Sequence, residues 1–282
     1  MKNLPARRRY WPESRNEAVT YLVSRKAQID WSVTIGPYSI IEDDVVIGER
    51  TRVDSHVIIR NGTIIGKNNV ICSGAQIGVD PQDYHFKGER SYCVLGDNNV
   101  IREYATISRA TGEGSRTVIG SNNFIMTYVH VAHNNVIGDN VVISSIAQLG
   151  GHVQIGDHAN IGGHAGIHQF CRVGRYAMLG AKSYLNKDLP PYLLASGNIA
   201  RVRGVNTTGL LRNLFSWEEI EEIRYIMRLV YYSESSFAQC KELLEKRNSC
   251  HAHEFLQFVN TTKRGILLKG NTGQIPEILS LS

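Results

Sequence analysis

"AQLGGHVQIGDHANIGGHAGI", residues 147–167, places an aliphatic residue every six positions, at Leu149, Ile155, Ile161 and Ile167. Two positions before each stands a small residue, Ala147, Val153, Ala159 or Ala165. Period six fits neither an isolated amphipathic helix, with about 3.6 residues per turn, nor a long two-sided strand with period two. It fits short strands joined by tight corners, with small and large residues alternating into a narrow interior.

Followed outward, the same pattern runs from Ile29 to Ile77, from Leu95 to Ile107 and from Ile119 to Leu185, in runs of nine, three and twelve units. Three units make one triangular coil of about 18 residues, and stacked coils pair their backbones around a continuous apolar axis. The expected fold is therefore an all-β parallel β-helix over residues 27–187, broken by loops at 79–92 and 108–116. Residues 1–26 read as a basic N-terminal surface arm.

From about residue 214 the period changes. "SWEEIEEIRYIMRLVYYS" (216–233) opens with Ser216 and Glu219 in capping-box spacing, and Ile220, Ile223 and Ile226 mark one helical face. "SSFAQCKELLEKR" (235–247) and "HEFLQFVNTT" (253–262) read as two more helices, with a weakly structured tail from Gly265. Residues 214–282 thus form a smaller α-helical C-terminal domain. Residues 188–213, opening "DLPPYLLASGN", are the linker, because Pro190 and Pro191 end the repeat.

Composition narrows the function class. A hydrophobic share of 42% with 20% charged residues suits a soluble globular chain. No stretch approaches the roughly 20 apolar residues of a membrane span. Five cysteines without CxxC spacing, and an N-terminus lacking an apolar signal core, point to the cytoplasm. A net charge of +5 without a clustered Lys/Arg run argues against nucleic acid.

Residues 18 apart in an unbroken solenoid stack. His133 then lies under Gly151 and Gln169, Asn134 under His152 and Phe170, and Ala132 under Gly150 and His168. Counted in units, both loops leave from this same edge, where a rigid scaffold would present binding groups. His130 and His133, at odd separation, point to different faces, and Gly151 and Gln169 are poor ligands, so no metal is expected. Cys93 and Cys171 occupy small interior positions and read as inert core thiols. A histidine general base beside an exposed glycine N–H is the better-matched chemistry.

The strings "PQDYHFKGE" (81–89), "VHVAHN" (129–134), "AQLGGHVQIGDHANIGG" (147–163), "GIHQFCRVG" (166–174), "DLPPYLLASGN" and "GVNTTGLLRNLF" (204–215) run in one order from the first loop to the helical domain. In this the chain resembles the acyl-carrier-protein-dependent UDP-N-acetylglucosamine O-acyltransferases of the hexapeptide-repeat family. The resemblance implies a left-handed β-helix and a homotrimer with clefts between subunits. It also implies transfer of an (R)-3-hydroxyacyl group from acyl carrier protein to the glucosamine 3-position of a UDP-sugar, the first step of lipid A biosynthesis, without a cofactor.

On the same resemblance His133 is the general base, Gly151 N–H the oxyanion donor and Asn134 an orienting residue. Asp83, His85, His130, His152, His168 and Gln169 line the sugar and acyl pocket, while Asn206 and Arg212, in residues 188–213, hold the nucleotide. The chain departs from the family pattern at His85, where lysine is usual, at Thr208 and Asn213, where glutamate and arginine are common, and at Ala181, where glycine is frequent. The basic residues Lys241, Lys246, Arg247, Lys263 and Arg264 form a candidate docking face for the acidic carrier. A 3-amino acceptor, giving an amide, and a non-catalytic sugar-nucleotide scaffold are the alternative readings.

Overall fold

The computed structural model describes residues 21–247, 249–267 and 269; residues 1–20 of the expected arm and 270–282 of the expected tail lie outside them. Most strands are only two residues long, and the described strands form three sheets of nine, eight and ten strands. Along the first sheet Ile107, Val131, Leu149, Ile167 and Leu185 stand in direct parallel register. These residues and their counterparts on the other two sides fill the axis and are almost fully buried. The small positions, among them Ala105, Val129, Ala147, Ala165 and Cys171, are sealed as completely.

The ladder begins one rung before the expected start, because Leu22–Val23 pairs with Ile40–Ile41. Tyr21 stands at the position that is small elsewhere and hides this unit from the periodicity. At the open end of the prism its ring lies exposed instead of in the core. Ile77 pairs with Ile107, and Ile107 with Val131, so the rungs resume above both loops.

One side of the axis carries a buried polar ladder. Asn69, Asn99 and Asn123 are fully buried. Each side-chain oxygen accepts the main-chain N–H one coil on, from Asn99, Asn123 and Val141 at 2.9, 2.9 and 2.7 Å. These bonds satisfy the buried amide oxygens and tie successive corners together, and the Nδ2 groups of Asn69 and Asn99 also donate to the main-chain oxygens of Gly96 and Gly120, whereas Asn123 Nδ2 has no partner among the described residues.

The segment expected to be a linker is more ordered than its prolines suggest. Leu193–Ser196 extends the third sheet beside Met178–Leu179, and Arg201–Val205 returns antiparallel to it. A short helix α1, Thr207–Arg212, follows, with Asn206 as its N-cap. Two bridges, Asp188 to Ile266 and Val202 to Lys269, also bring the start of the expected tail into the structure. Long-range pairing supplied order that local turn residues could not announce.

Three helices complete the described chain: α2 Trp217–Tyr232, α3 Phe237–Glu245 and α4 Cys250–Asn260. The capping box of Ser216 and Glu219 is present on α2, and Ile220, Ile223 and Ile226 form its buried face. Asp188, only 1% exposed, joins this domain to the last coil. It accepts from Arg172 N at 2.8 Å, Arg172 Nε at 3.0 Å and the Thr262 hydroxyl at 2.7 Å. The Arg172 guanidinium in turn lies 4.1 Å over the Phe258 ring and donates to Thr261 Oγ1 at 2.9 Å.

Candidate active site

The corners after the strands His130–Val131, Gln148–Leu149 and Gly166–Ile167 of the first sheet each use a residue with positive φ: 58° at Asn134, 59° at His152 and 65° at Phe170. Left-handed backbone is disfavoured for most side chains, and asparagine tolerates it comparatively well. This geometry stacks the three corners along one edge. His133 precedes the first of them and is buried, with 9% of its surface exposed.

The tautomer of His133 follows from its neighbours. Thr111 N donates to Asn134 Oδ1 at 2.9 Å, and Asn134 Nδ2 donates to Thr111 O at 3.1 Å, which fixes the orientation of the amide. Asn134 Oδ1 also lies 2.8 Å from His133 Nδ1. An acceptor at that distance requires the proton on Nδ1, leaving Nε2 as the basic nitrogen. Asn134 therefore orients the imidazole and anchors the second loop in one arrangement.

Directly above, Gly151 permits the imidazole to approach. A β-carbon built at this position would sit 2.6 Å from both Cε1 and Nε2 of His133. The adjacent main-chain groups are committed to the ladder, with Gly150 N donating to Ile167 O and His152 N to His133 O. The Gly151 N–H has no hydrogen-bond partner among the described residues and remains a donor beside the imidazole.

Across from His133, Asp83 of the first loop places Oδ2 3.7 Å from Nε2. Hydrogen bonds from the main-chain N–H and then the ring of His85 hold the Asp83 carboxyl down to about 2. Glu89 braces the two loops by accepting from Lys87 N at 2.7 Å and Gly112 N at 2.6 Å.

The other expected pocket residues divide into two sets. His130, His133, Gly151, His168 and Gln169 line one open cavity of about 460 Å³, together with Gln82, Gln148, Gly166 and Tyr184. His130 bonds through Nδ1 to the Thr106 hydroxyl at 2.7 Å, and burial, followed by the charge of His133, holds its imidazole below the ordinary value. His152 meets His133 edge-on at 5.2 Å and stacks on Phe170 at 4.6 Å. Burial and then His133 lower its pKa as well, against the opposing charge of Asp83.

Asn206 and Arg212 stand apart from this cavity, on α1. The Asn206 side chain accepts from Gly209 N at 3.2 Å and donates to Tyr176 O at 2.8 Å, so its amide is already engaged in capping. A larger cavity of about 710 Å³ lies beside α4, but its Arg175 and Glu254 pair with each other at 3.6 Å. Cys93 and Cys171 are buried with their thiols pushed up to about 12 and 11, chiefly by desolvation, which leaves neither poised as a nucleophile.

Thr111, Thr106 and Glu89 were not singled out by sequence reasoning. Thr106 could have been found by counting rungs through the second loop to His130. Thr111 and Glu89 lie within loops and carry no periodic signal.

Comparison with known proteins matches residues 188–267 to the second domain of UDP-N-acetylglucosamine O-acyltransferase, and residues 136–169 to the bacterial transferase hexapeptide. An acyl-[acyl-carrier-protein]–UDP-N-acetylglucosamine O-acyltransferase from Herminiimonas arsenicoxydans is 38% identical over 255 residues, covering 88% of this chain and 97% of that protein. The chain belongs to this O-acyltransferase family. A relative of the same name from Aliarcobacter butzleri is 43% identical over 196 residues, covering 69% of this chain and 75% of that one. The solved Francisella novicida UDP-N-acetylglucosamine acyltransferase superposes with a TM-score of 0.86 at 39% identity, covering 89% and 93% of the two chains.

As in these family members, the chain is a left-handed parallel β-helix with a smaller helical C-terminal domain. No described helix is long and apolar enough to cross a membrane. Among the described residues, no three His, Cys, Asp or Glu side chains converge as a metal set would.

Proposed function

We propose that the chain transfers an (R)-3-hydroxyacyl group from acyl carrier protein to the glucosamine 3-hydroxyl of UDP-N-acetylglucosamine, the first step of lipid A biosynthesis. The observation that carries the mechanism is the clamping of Asn134 by Thr111, which leaves His133 Nε2 free as a base. The acceptor hydroxyl gives its proton to Nε2 as its oxygen attacks the thioester carbonyl. The new oxyanion is received by the Gly151 N–H, and Asp83 offsets the positive charge gained by His133. Collapse breaks the carbon–sulfur bond, and the departing carrier thiolate recovers the proton from His133.

His130, His168 and Gln169 line the acceptor and acyl surface, with His152 behind His133. Asn206 and Arg212 serve the nucleotide from a neighbouring copy in a homotrimer, which accounts for their separation from His133 within one chain. The carrier docks on the helical domain, where Lys246 and Arg247 are already paired with Glu242 and Glu222. Lys241 and Lys263 form no ion pair among the described residues and supply the attraction. The reaction takes place in the cytoplasm.

The test is product analysis by mass spectrometry with hydroxyacyl carrier protein and UDP-N-acetylglucosamine, run beside His133→Ala. The reading requires an ester product with the wild type and a loss of at least about 100-fold in the variant. Equal product from both would defeat the base mechanism, and product formed only with a 3-amino acceptor would change the assigned substrate.

A further inference from the structure

We propose that His85 is a positioning residue for this reaction, locking the Asp83 carboxylate so that its second oxygen faces His133. The proposal rests on the acyltransferase reading above, in which Asp83 supports the charged form of His133. Asp83 Oδ1 accepts two hydrogen bonds from the same residue, from the His85 main-chain N–H at 3.0 Å and from its ring Nδ1 at 2.9 Å. With Oδ1 held twice, rotation of the carboxylate is restrained, and Oδ2 is presented 3.7 Å from His133 Nε2.

The exposure of the two partners separates function from folding. The Asp83 side chain is 17% exposed, whereas that of His85 is 89% exposed. A ring so open to water contributes little packing, and its recorded hydrogen-bond partner is Asp83. Neighbouring Tyr84 is fully exposed, so the turn is not held by a hydrophobic anchor at its tip. Nδ1–H donates in both the imidazolium and the Nδ1-protonated neutral form, and the lock therefore does not depend on the charge of His85.

Hydrogen bonds that orient metal ligands matter by about 10- to 100-fold, and the bond that orients Asp83 is expected at the lower end of that scale. His85→Ala is expected to lower kcat by about 10-fold with a smaller change in KM. His85→Asn, whose Nδ2–H can replace the ring donor, should recover to within about 3-fold of wild type. Combining His85→Ala with Asp83→Asn should cost no more than the worse single change, as expected for residues acting as a unit. An unchanged kcat in His85→Ala, failure of asparagine to rescue, or fully multiplicative losses would each overturn the lock.

A wild type inactive with every hydroxyacyl carrier would defeat the acyltransferase reading instead. The lock is then read from the titration of isotope-labelled Asp83 in the folded protein. Its carboxyl should move up toward the ordinary value in His85→Ala and remain depressed in His85→Asn; no movement in His85→Ala overturns the proposal.

Discussion

The imidazole of His133 rests against the main chain of Gly151, closely enough that a β-carbon there would lie 2.6 Å from Nε2. Glycine is required at this point by proximity and not by its backbone angle, since Gly151 is absent from the positive-φ positions. Gly151→Ala should displace the base and lower kcat by about 100-fold, with a stability cost of about 1–3 kcal/mol. Steady-state acylation and thermal unfolding measured on the same preparation check both numbers.

Removing the Asn134 amide should uncouple the base from the second loop. Asn134→Ala loses the acceptor for His133 Nδ1 and both bonds to Thr111, and places alanine at a φ of 58°. A decrease in kcat of about 10- to 100-fold is expected. Asn134→Gly provides the comparison, because it relieves the backbone while lacking the amide. Equal kcat losses in the two variants would place the effect in the side chain.

The buried junction between solenoid and helices should be sensitive to a single carboxylate. Asp188→Ala leaves the Arg172 guanidinium without its charged partner and should destabilise the protein by about 3–5 kcal/mol. Hydrogen exchange should rise first in α4, which Arg172 and Thr262 tether to the coil. Protection lost evenly through the lower coils would contradict that assignment.

Acid should weaken the histidine edge. The folded pKa of His130 is lowered, so the unfolded chain binds its proton more readily. Its contribution is intact above the ordinary histidine value near 6.5 and is lost as pH falls from there through the lowered folded value. His130→Gln should make the decline in stability below about pH 6.5 shallower, as measured by urea unfolding at a series of pH values. Asp83 carries the same sign at lower pH: its depressed folded value favours the folded state above the ordinary carboxylate range, and that preference is lost as pH falls through about 2.

The solenoid was legible because Leu149, Ile155, Ile161 and their equivalents obey a packing rule that repeats in sequence as it does in space. His133, Gly151 and Gln169 could be brought to one edge by the same counting, and the structure places them around one cavity. Residues outside the repeat were less readable. Tyr21 concealed the first rung, and the two strands after Pro191 pair with each other and are placed in the sheet by Met178–Leu179 and by a bridge from Val202 to Lys269. The sequence offers Asn206 as a nucleotide contact through the family resemblance alone, and its helix-capping bonds become apparent only when Gly209 and Tyr176 are brought beside it.

The return of register after both loops constrains how this chain can diversify. Ile77 meets Ile107, and Ile107 meets Val131, although unequal lengths of chain separate them. A single-residue insertion on a flat side would turn later aliphatic residues toward water until the ladder recovered its phase. The loop corner can lengthen or shorten without that penalty. Variation in length is therefore channelled to the edge beside His133, so new recognition surfaces can arise there while the rungs that hold the base remain where they are.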